Sequence, residues 1–162
     1  CKETDSIQKS RFQEEKKFYK NVGEIVATKS TKIAFKLMDD TFSRQGISRK
    51  ESNLDRICMG IEMLLSEGKA VILEAKIKND VISFIAVGYD SSVAYYLAGA
   101  TDQKHRNSGA NSALLMNIIK SKKYSFIDLM GVNSPNRAAY KLSFGGKLVP
   151  IWKLFFNKES NS

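Results

Sequence analysis

Residues 70–100 hold the feature that most restricts the fold, which is a row of three β-favouring segments separated by two short polar turns. The segments are rich in Val, Ile, Phe and Tyr and cover 70–78, 81–89 and 93–100. Asn79-Asp80 is the first predicted turn, and Asp90-Ser91-Ser92 is the second. Because turns this short join antiparallel neighbours, the three segments predict a meander within one sheet.

Apolar spacing on both sides of the meander predicts further strands and several helices. In chain order the pattern predicts a strand over 22–29, helices that end at Gly46 and near Gly68, the meander, a helix over 108–123, a strand over 124–130, a helix over 133–143 and a strand over 147–156. A helix that joins two strands of one sheet makes a right-handed crossover between parallel strands. The predicted fold class is therefore α/β (α+β), with one domain, a mixed, mostly antiparallel central sheet and helices on both faces.

The chain has 162 residues, which is room for one domain. Residues 1–21 predict a solvated helix or an unanchored arm, 22–157 the domain, and 158–162 a disordered tail. No run approaches the roughly 20 apolar residues that a membrane span needs. Cys58 falls on an apolar helical stripe where a buried thiol is typical, and a reducing, cytoplasmic location is expected.

Basic charge is concentrated in the last third of the chain. The net charge is +9, and residues 101–162 contribute 10 basic and 3 acidic side chains to it. An excess of this kind favours an anionic ligand such as a phosphorylated co-substrate, a nucleotide sugar or RNA. A basic surface that only keeps the protein in solution is equally compatible with the count.

The segment that follows the meander has the composition of an anion-binding loop. Small residues end the third strand, and a glycine-bearing loop then opens the next helix, where free backbone N–H groups and the helix dipole favour phosphate. The candidate binding residues are Gly99, Ala100, Thr101, Arg106, Ser108, Gly109, Ala110 and Asn111. The alternative is that Gly109 merely begins the helix and Asn111 faces solvent.

Arg106-x-x-Gly109-x-Asn111 resembles the Gln/Arg-x-x-Gly-x-Gly/Ala loop of the GNAT superfamily of acyltransferases, with Asn111 in place of the last small residue. The predicted order of strands and helices is also similar to that superfamily. The resemblance implies that acetyl-CoA or another acyl-CoA is the co-substrate, with its pyrophosphate held by this loop.

A second pattern resembles the Fem-type group, whose members are peptidoglycan-bridge aminoacyltransferases. It consists of Asp128-x-x-Gly131 followed by Tyr140-Lys141-x-x-Phe144-Gly145-Gly146, within a resemblance that spans 31–156. This resemblance implies aminoacyl-tRNA as an alternative donor. Bridge-forming enzymes carry two GNAT-like domains, whereas one fits here, which favours smaller relatives that acylate sugars or other amines.

The resemblance also assigns roles to individual side chains. Asn133 and Tyr140 have the seven-residue spacing of a GNAT asparagine and a tyrosine that protonates the departing thiolate. By resemblance to the Fem-type group, Lys141 stabilises the negative charge of the tetrahedral intermediate or binds a substrate phosphate. The alternatives are that Tyr140 packs the last helix on the sheet and that Lys141 is solvated.

The base that deprotonates the acceptor amine is left open between Asp128, Glu74 and a water molecule. Asp128 has two further interpretations, a substrate contact and a hydrogen bond within its own loop. The single histidine, His105, makes a Ser/His/Asp triad unworkable, and no His/Cys/Asp cluster has metal-ligand spacing, so no metal is expected. The remaining chemistry is direct attack by a bound amine on a thioester or ester.

The leading hypothesis is an N-acyltransferase that moves an acyl group from acyl-CoA to an amine on a small molecule, such as a nucleotide sugar or a cell-wall precursor. Alternatives are transfer from aminoacyl-tRNA, and a non-catalytic binding domain or half of a larger transferase. The chain is expected to be a monomer or a homodimer. Aromatic and basic residues are interleaved near the end and suggest base stacking, or alternatively sheet core or a dimer contact: Trp152, Lys153, Phe155, Phe156 and Lys158.

Overall fold

The computed structural model describes residues 6–131 and 134–150. The described residues form five strands and five α-helices, with a short 3₁₀ turn at Gln103–His105. In chain order these are α1 (Lys9–Lys20), β1 (Gly23–Thr28), α2 (Lys32–Arg44), α3 (Leu54–Ser66), β2 (Ala70–Ile77), β3 (Asp80–Tyr89), β4 (Val93–Thr101), α4 (Ala110–Ser121), β5 (Phe126–Asp128) and α5 (Pro135–Leu142). None of these helices is long and apolar enough to cross a membrane.

The strands form one sheet in the order β1-β2-β3-β4-β5. The first four are antiparallel to their neighbours, while β5 pairs in parallel with β4 after the crossover through α4. The prediction of a mixed, mostly antiparallel sheet with helices on both faces is therefore confirmed. The antiparallel meander also agrees with the sequence pattern.

Three local predictions need correction or remain open. The first hairpin turns at Lys78-Asn79, one residue earlier than expected, because both residues take the positive φ of a tight two-residue turn. The strand after α4 is shorter than predicted, at Phe126–Asp128. Of the predicted last strand, 147–150 are not in a strand, and 151–156, with Trp152, Phe155 and Phe156, lie outside the described residues.

Two helical layers cover the sheet. On one face, α2 and α3 pack against β2, β3 and β4 through a core that includes Leu37, Leu54 and Phe84. On the other face, α1 and α4 enclose a core that includes Phe18, Leu114 and Met116, each with no exposed surface. We call these the α2 face and the α4 face.

A β-bulge in β4 reverses which side chains point to each face. Ala86 is opposite Ala98 and Val87 is opposite Tyr96, so Leu97 has no partner in β3. Before the bulge, Ala94 and Tyr96 pack on the α4 face; after it, Ala98 and Ala100 pack on the α2 face. The bulge therefore lets β4 contribute Tyr96 to the α4 face and small side chains at 98 and 100 to the α2 face.

Helix α1 is docked rather than solvated, contrary to the expectation of a free arm or an exposed helix. Its Phe18 is fully buried, and Glu15 is paired with Lys120 of α4 at 2.6 Å. The amide of Gln8 donates to the carbonyl of Ser143, at the end of α5. Helix α1 and the residues before it thus join α4 to the end of α5, which the charged run at 14–17 did not indicate.

Gly109, at the start of α4, shows how closely α1 approaches. A β-carbon added to Gly109 would lie 2.1 Å from the carbonyl oxygen of Glu14, and Gly109 has a φ of 83°. Only glycine satisfies both requirements, the positive φ and the close approach of another backbone.

We predict that Gly109→Ala lowers the free energy of unfolding more than Gly46→Ala does. Gly46 also has positive φ but has no atom within 4 Å of an added β-carbon, so it isolates the backbone cost of about 1–2 kcal/mol. The clash with α1 adds about 1–3 kcal/mol at Gly109. Urea denaturation measures the difference, and equal losses for the two variants would contradict this packing of α1 on α4.

Candidate active site

Strands β4 and β5 separate after three paired positions. The pairing runs from Val93 opposite Phe126 to Tyr95 opposite Asp128, and β4 then continues to Thr101 without a described partner on that side. The Asp102 amide donates to the Ile82 carbonyl, so these two residues form a hydrogen-bonded pair. Along two antiparallel strands such pairs alternate with pairs whose backbone groups point away from the partner strand. By that alternation, the backbone N–H and C=O of Gly99 and Thr101 point away from β3, into the gap that β5 leaves.

A cavity of about 470 Å³ lies at this gap and is lined by residues from both faces of the sheet. Its wall on the α2 face is mostly apolar and comes from Met38, Thr41, Phe42, Gln45 and Ile57. The middle is lined by residues 96–100 of β4, together with Leu129 and Gly131 after β5. Its wall on the α4 face comes from Asn111, Leu115, Asn136, Arg137, Tyr140 and Lys141.

Tyr96 and Gly99 form one unit in the middle of the cavity. The Tyr96 hydroxyl lies 2.3 Å from where a β-carbon of Gly99 would be, so the ring occupies the space that a larger residue would fill. Burial raises the pKa of Tyr96 well above its ordinary value. The ring is therefore a neutral, polar-tipped wall of the gap.

Tyr140 is on α5, which begins where Ser134 caps the Arg137 amide and Pro135 occupies the first turn. Its hydroxyl accepts from Nδ2 of Asn111 at 3.0 Å and lies 3.1 Å from Oγ of Ser112. The guanidinium of Arg11, from α1, is 5.0 Å from the centre of the ring. Three helices therefore position this one phenol at the cavity wall.

The pKa of Tyr140 lies above its ordinary value. Burial is the main cause, and the carboxylate of Glu14 adds to it, while the side-chain hydrogen bonds of the phenol and the charge of Arg11 oppose it. Tyr140 is consequently neutral at neutral pH and carries a proton there.

Lys141 holds the loop that follows β5. Its ammonium donates to the carbonyls of Leu129 and Gly131, the second at 2.8 Å, and lies 3.5 Å from that of Met130. Burial lowers the pKa of Lys141, and the nearby charge of Arg137 lowers it further. These contacts tie the loop after β5 to α5. The charge-stabilising role that the resemblance implies for Lys141 stays a prediction.

The other expected catalytic groups are placed differently. Asp128 is exposed, does not line the cavity, and accepts a hydrogen bond from the Met130 amide at 2.6 Å. Glu74 is buried in β2, with its carboxylate 3.9 Å from Lys76 and outside the cavity wall. Asn133 lies outside the described residues. Neither carboxylate is thus next to the cavity.

Five of the eight candidate cofactor-binding residues lie in two different places, and the other three are at the start of α4. Gly99, Ala100 and Asn111 line the cavity. Thr101 and Arg106 border a smaller surface depression, and the Thr101 hydroxyl is hydrogen-bonded to Ser83.

The start of α4 is covered by protein. The Ser108 hydroxyl accepts from the Ala110 amide, while Ala110 and Ser112 have 1% and 2% of their surface exposed. Helix α1 lies against Gly109 at this point, and the Glu14 carboxylate accepts from Ser112. A negative charge from the chain itself is thus already next to this helix start.

Four side chains around the cavity were not predicted from the sequence, namely Arg11, Glu14, Tyr96 and Ser112. Tyr96 carries a local signal, because an aromatic residue precedes a run of small residues at the end of a strand. The other three have none, since their contacts join residues about 100 positions apart.

The overall fold is similar to that of FemX and of several solved acetyltransferases. FemX has a TM-score of 0.70 and 13% identity; the similarity covers 88% of this chain and 55% of FemX. A predicted acetyltransferase with acetyl-CoA from Clostridium acetobutylicum has a TM-score of 0.61 and 17% identity, over 83% of this chain and 96% of that one.

A third similar structure is the aminoglycoside acetyltransferase meta-AAC0020 from an uncultured soil metagenomic sample, in complex with sisomicin. Its TM-score is 0.62 and its identity 12%, over 86% of this chain and 99% of that one. The sequence matches no family profile and no curated protein. At these identities the similarity establishes the fold, and the chain has the fold of GNAT acyltransferases.

We predict that Gly99→Ala destabilises the protein by about 1–3 kcal/mol, because the added methyl group displaces Tyr96 and presses on the Phe84 carbonyl 3.0 Å away. Gly60→Ala is the matched control, since Gly60 lies inside α3 with open space around it and should gain about 0.5–1 kcal/mol. Urea denaturation gives both values. A neutral Gly99→Ala would show that Tyr96 does not occupy this space.

Proposed function

We propose that this chain is an N-acyltransferase whose reacting groups meet in the gap between β4 and β5. The observation that carries the proposal is the cavity itself. It lies beside the part of β4 that has no described partner in β5, where the backbone N–H and C=O of Gly99 point into the gap, and Tyr140 stands at its wall. In the proposed reaction the amine nitrogen attacks the acyl carbonyl, a C–N bond forms, and the bond to the leaving sulfur or oxygen breaks.

The gap suits an extended acyl donor for two reasons. Small side chains at Ala98, Gly99 and Ala100 let a chain approach the strand closely, and an unpaired strand edge offers hydrogen bonds in an extended array. A fixed N–H group beside the carbonyl would stabilise the negative charge that develops on its oxygen. The GNAT fold and the similar acetyltransferase with acetyl-CoA support acyl-CoA as the donor.

The charge of the cavity wall favours one class of acceptor. Among the described residues that line the cavity, the charged ones are Arg137 and Lys141, both cations, and none is a carboxylate. This favours an amine on a molecule that also bears an anionic group, such as a nucleotide sugar or a cell-wall precursor. A polycationic aminoglycoside, the ligand of the similar metagenomic enzyme, would meet unfavourable charge here.

Transfer from aminoacyl-tRNA is the second candidate, and the covered start of α4 favours it. Ala110 and Ser112 are buried beneath α1, so the pyrophosphate of CoA would have to bind away from their amides. The likeness to FemX and the net charge of +7 over 101–162 agree with this candidate.

Binding and transfer measurements separate the two donors. Micromolar binding of acetyl-CoA in calorimetry, nearly unchanged between low and high salt, supports CoA; transfer to a panel of anionic, neutral and cationic amines then tests the acceptor. Binding of tRNA that weakens steeply with salt, through release of counterions, supports aminoacyl-tRNA. If no donor binds and no acyl group is transferred, the proposed function is wrong.

We predict that Tyr140→Phe lowers the rate of acyl transfer by about ten- to a thousandfold with little change in melting temperature, because it removes the hydroxyl group that the phenol presents at the cavity wall. Tyr95→Phe is the control: its hydroxyl binds Asp90 outside the cavity. Mass spectrometry of the acylated amine gives the rates. A Tyr140→Phe variant as fast as Tyr95→Phe would assign Tyr140 to packing alone.

A further inference from the structure

A chain of hydrogen bonds runs from the cavity wall to α1, through residues that neither the loop motif nor the Tyr-Lys motif contains. The Tyr140 hydroxyl lies 3.1 Å from Oγ of Ser112, and Ser112 is in a short hydrogen bond with the carboxylate of Glu14. Arg11 donates from one nitrogen to both Glu14, at 2.8 Å, and Ser112, at 3.2 Å. The Glu14 side chain is 39% exposed, so the chain connects the cavity with solvent.

The chemistry of these groups fixes the direction of the hydrogen bonds. An ionised carboxylate can only accept, so the one proton of Ser112 is donated to Glu14. The Arg11 guanidinium can only donate, so it also donates to Ser112. Ser112 is therefore left as an acceptor toward Tyr140, and the phenol proton points at Ser112 rather than into the cavity.

We propose that Glu14 is a positioning residue, which acts through Ser112 to present the Tyr140 oxygen to the cavity as a hydrogen-bond acceptor. That oxygen then accepts from the N–H of the attacking amine and holds the nitrogen lone pair toward the acyl carbonyl. This consequence rests on the proposed function. It gives Tyr140 a role on the acceptor side, in contrast to the proton donation to a thiolate that the family resemblance implies.

Other groups around Tyr140 agree with an oxygen that accepts. Asn111 donates to it from Nδ2, and its Oδ1 is buried without a hydrogen-bond partner in the described part of the chain. The charged and titratable groups nearest the phenol are Arg11 and Glu14 from α1, Tyr96 from β4, and Arg137 and Lys141 on its own helix. Helix α4 faces the phenol with the uncharged pair Asn111 and Ser112.

The direction of the bond has a measurable signature that requires no substrate. A Ser112 that accepts from Tyr140 stabilises the neutral phenol, so Ser112→Ala should lower the pKa of Tyr140. If Ser112 instead donated to Tyr140, it would stabilise the phenolate, and Ser112→Ala should raise this pKa. Glu14→Gln should lower the pKa as well, because it removes a nearby negative charge and frees Ser112.

The experiment is a pH titration of the full chain labelled with ¹³Cζ-tyrosine and followed by NMR. The six tyrosines are distinguished by the signal that is lost in Tyr140→Phe. Glu15→Gln is the matched control: it removes the same charge from the next position of α1, but Glu15 is paired with Lys120. It should leave the Tyr140 titration as in the unmodified protein.

A lower pKa of Tyr140 in both Ser112→Ala and Glu14→Gln is the expected result. A raised pKa in Ser112→Ala, or no change in Glu14→Gln, overturns the proposal; if Ser112→Ala fails to fold, Ser112→Gly removes the same hydroxyl and is titrated in its place. Once an amine substrate is known, Glu14→Gln should lower kcat about tenfold while Glu15→Gln does not. Because the titration uses no substrate, failure of the proposed acyl transfer and failure of this hydrogen-bond direction are observed separately.

Discussion

The separation of β4 from β5 is the constraint on which the rest of the site depends. A parallel pair that continued past Tyr95 and Asp128 would use the backbone groups of Gly99 and Thr101 within the sheet and close the cavity. The bulge at Leu97 changes which side chains of β4 point to each face of the sheet. The ammonium of Lys141 holds the loop after β5 by donating to its carbonyl groups. These two features border the gap between β4 and β5.

Helix α1 packs against the part of the candidate site that lies on the α4 face. It lies on the glycine that begins α4 and places a carboxylate beside Ser112, where a phosphate-binding loop would offer free amides. The same contact brings Glu14 and Arg11 within reach of the phenol of Tyr140. One helix thus covers the start of α4 and contacts both the ring of Tyr140 and the serine beside its hydroxyl.

The sequence predicted those features that depend on neighbours along the chain. The meander, the crossover and the position of Gly99, Ala100, Asn111 and Tyr140 at one cavity follow from strand spacing, small residues and motif resemblance. The docking of α1 and the contacts of Glu14 and Ser112 could not be predicted, because they join residues 98 positions apart and no local pattern records them. Asp128 and Lys141 lie in the expected motif, but their contacts are within their own loop region.

Amide NMR with S-acetyl-pantetheine tests most directly whether the acyl donor lies along β4, in the gap between β4 and β5, as proposed. This small donor has the thioester arm of acetyl-CoA without the nucleotide, so α1 cannot exclude it. The account predicts saturable shifts at the amides of Gly99 and Thr101 and at residues of α5 around Tyr140. Shifts confined to the surface loop at 102–108, or none at millimolar concentration, would contradict it.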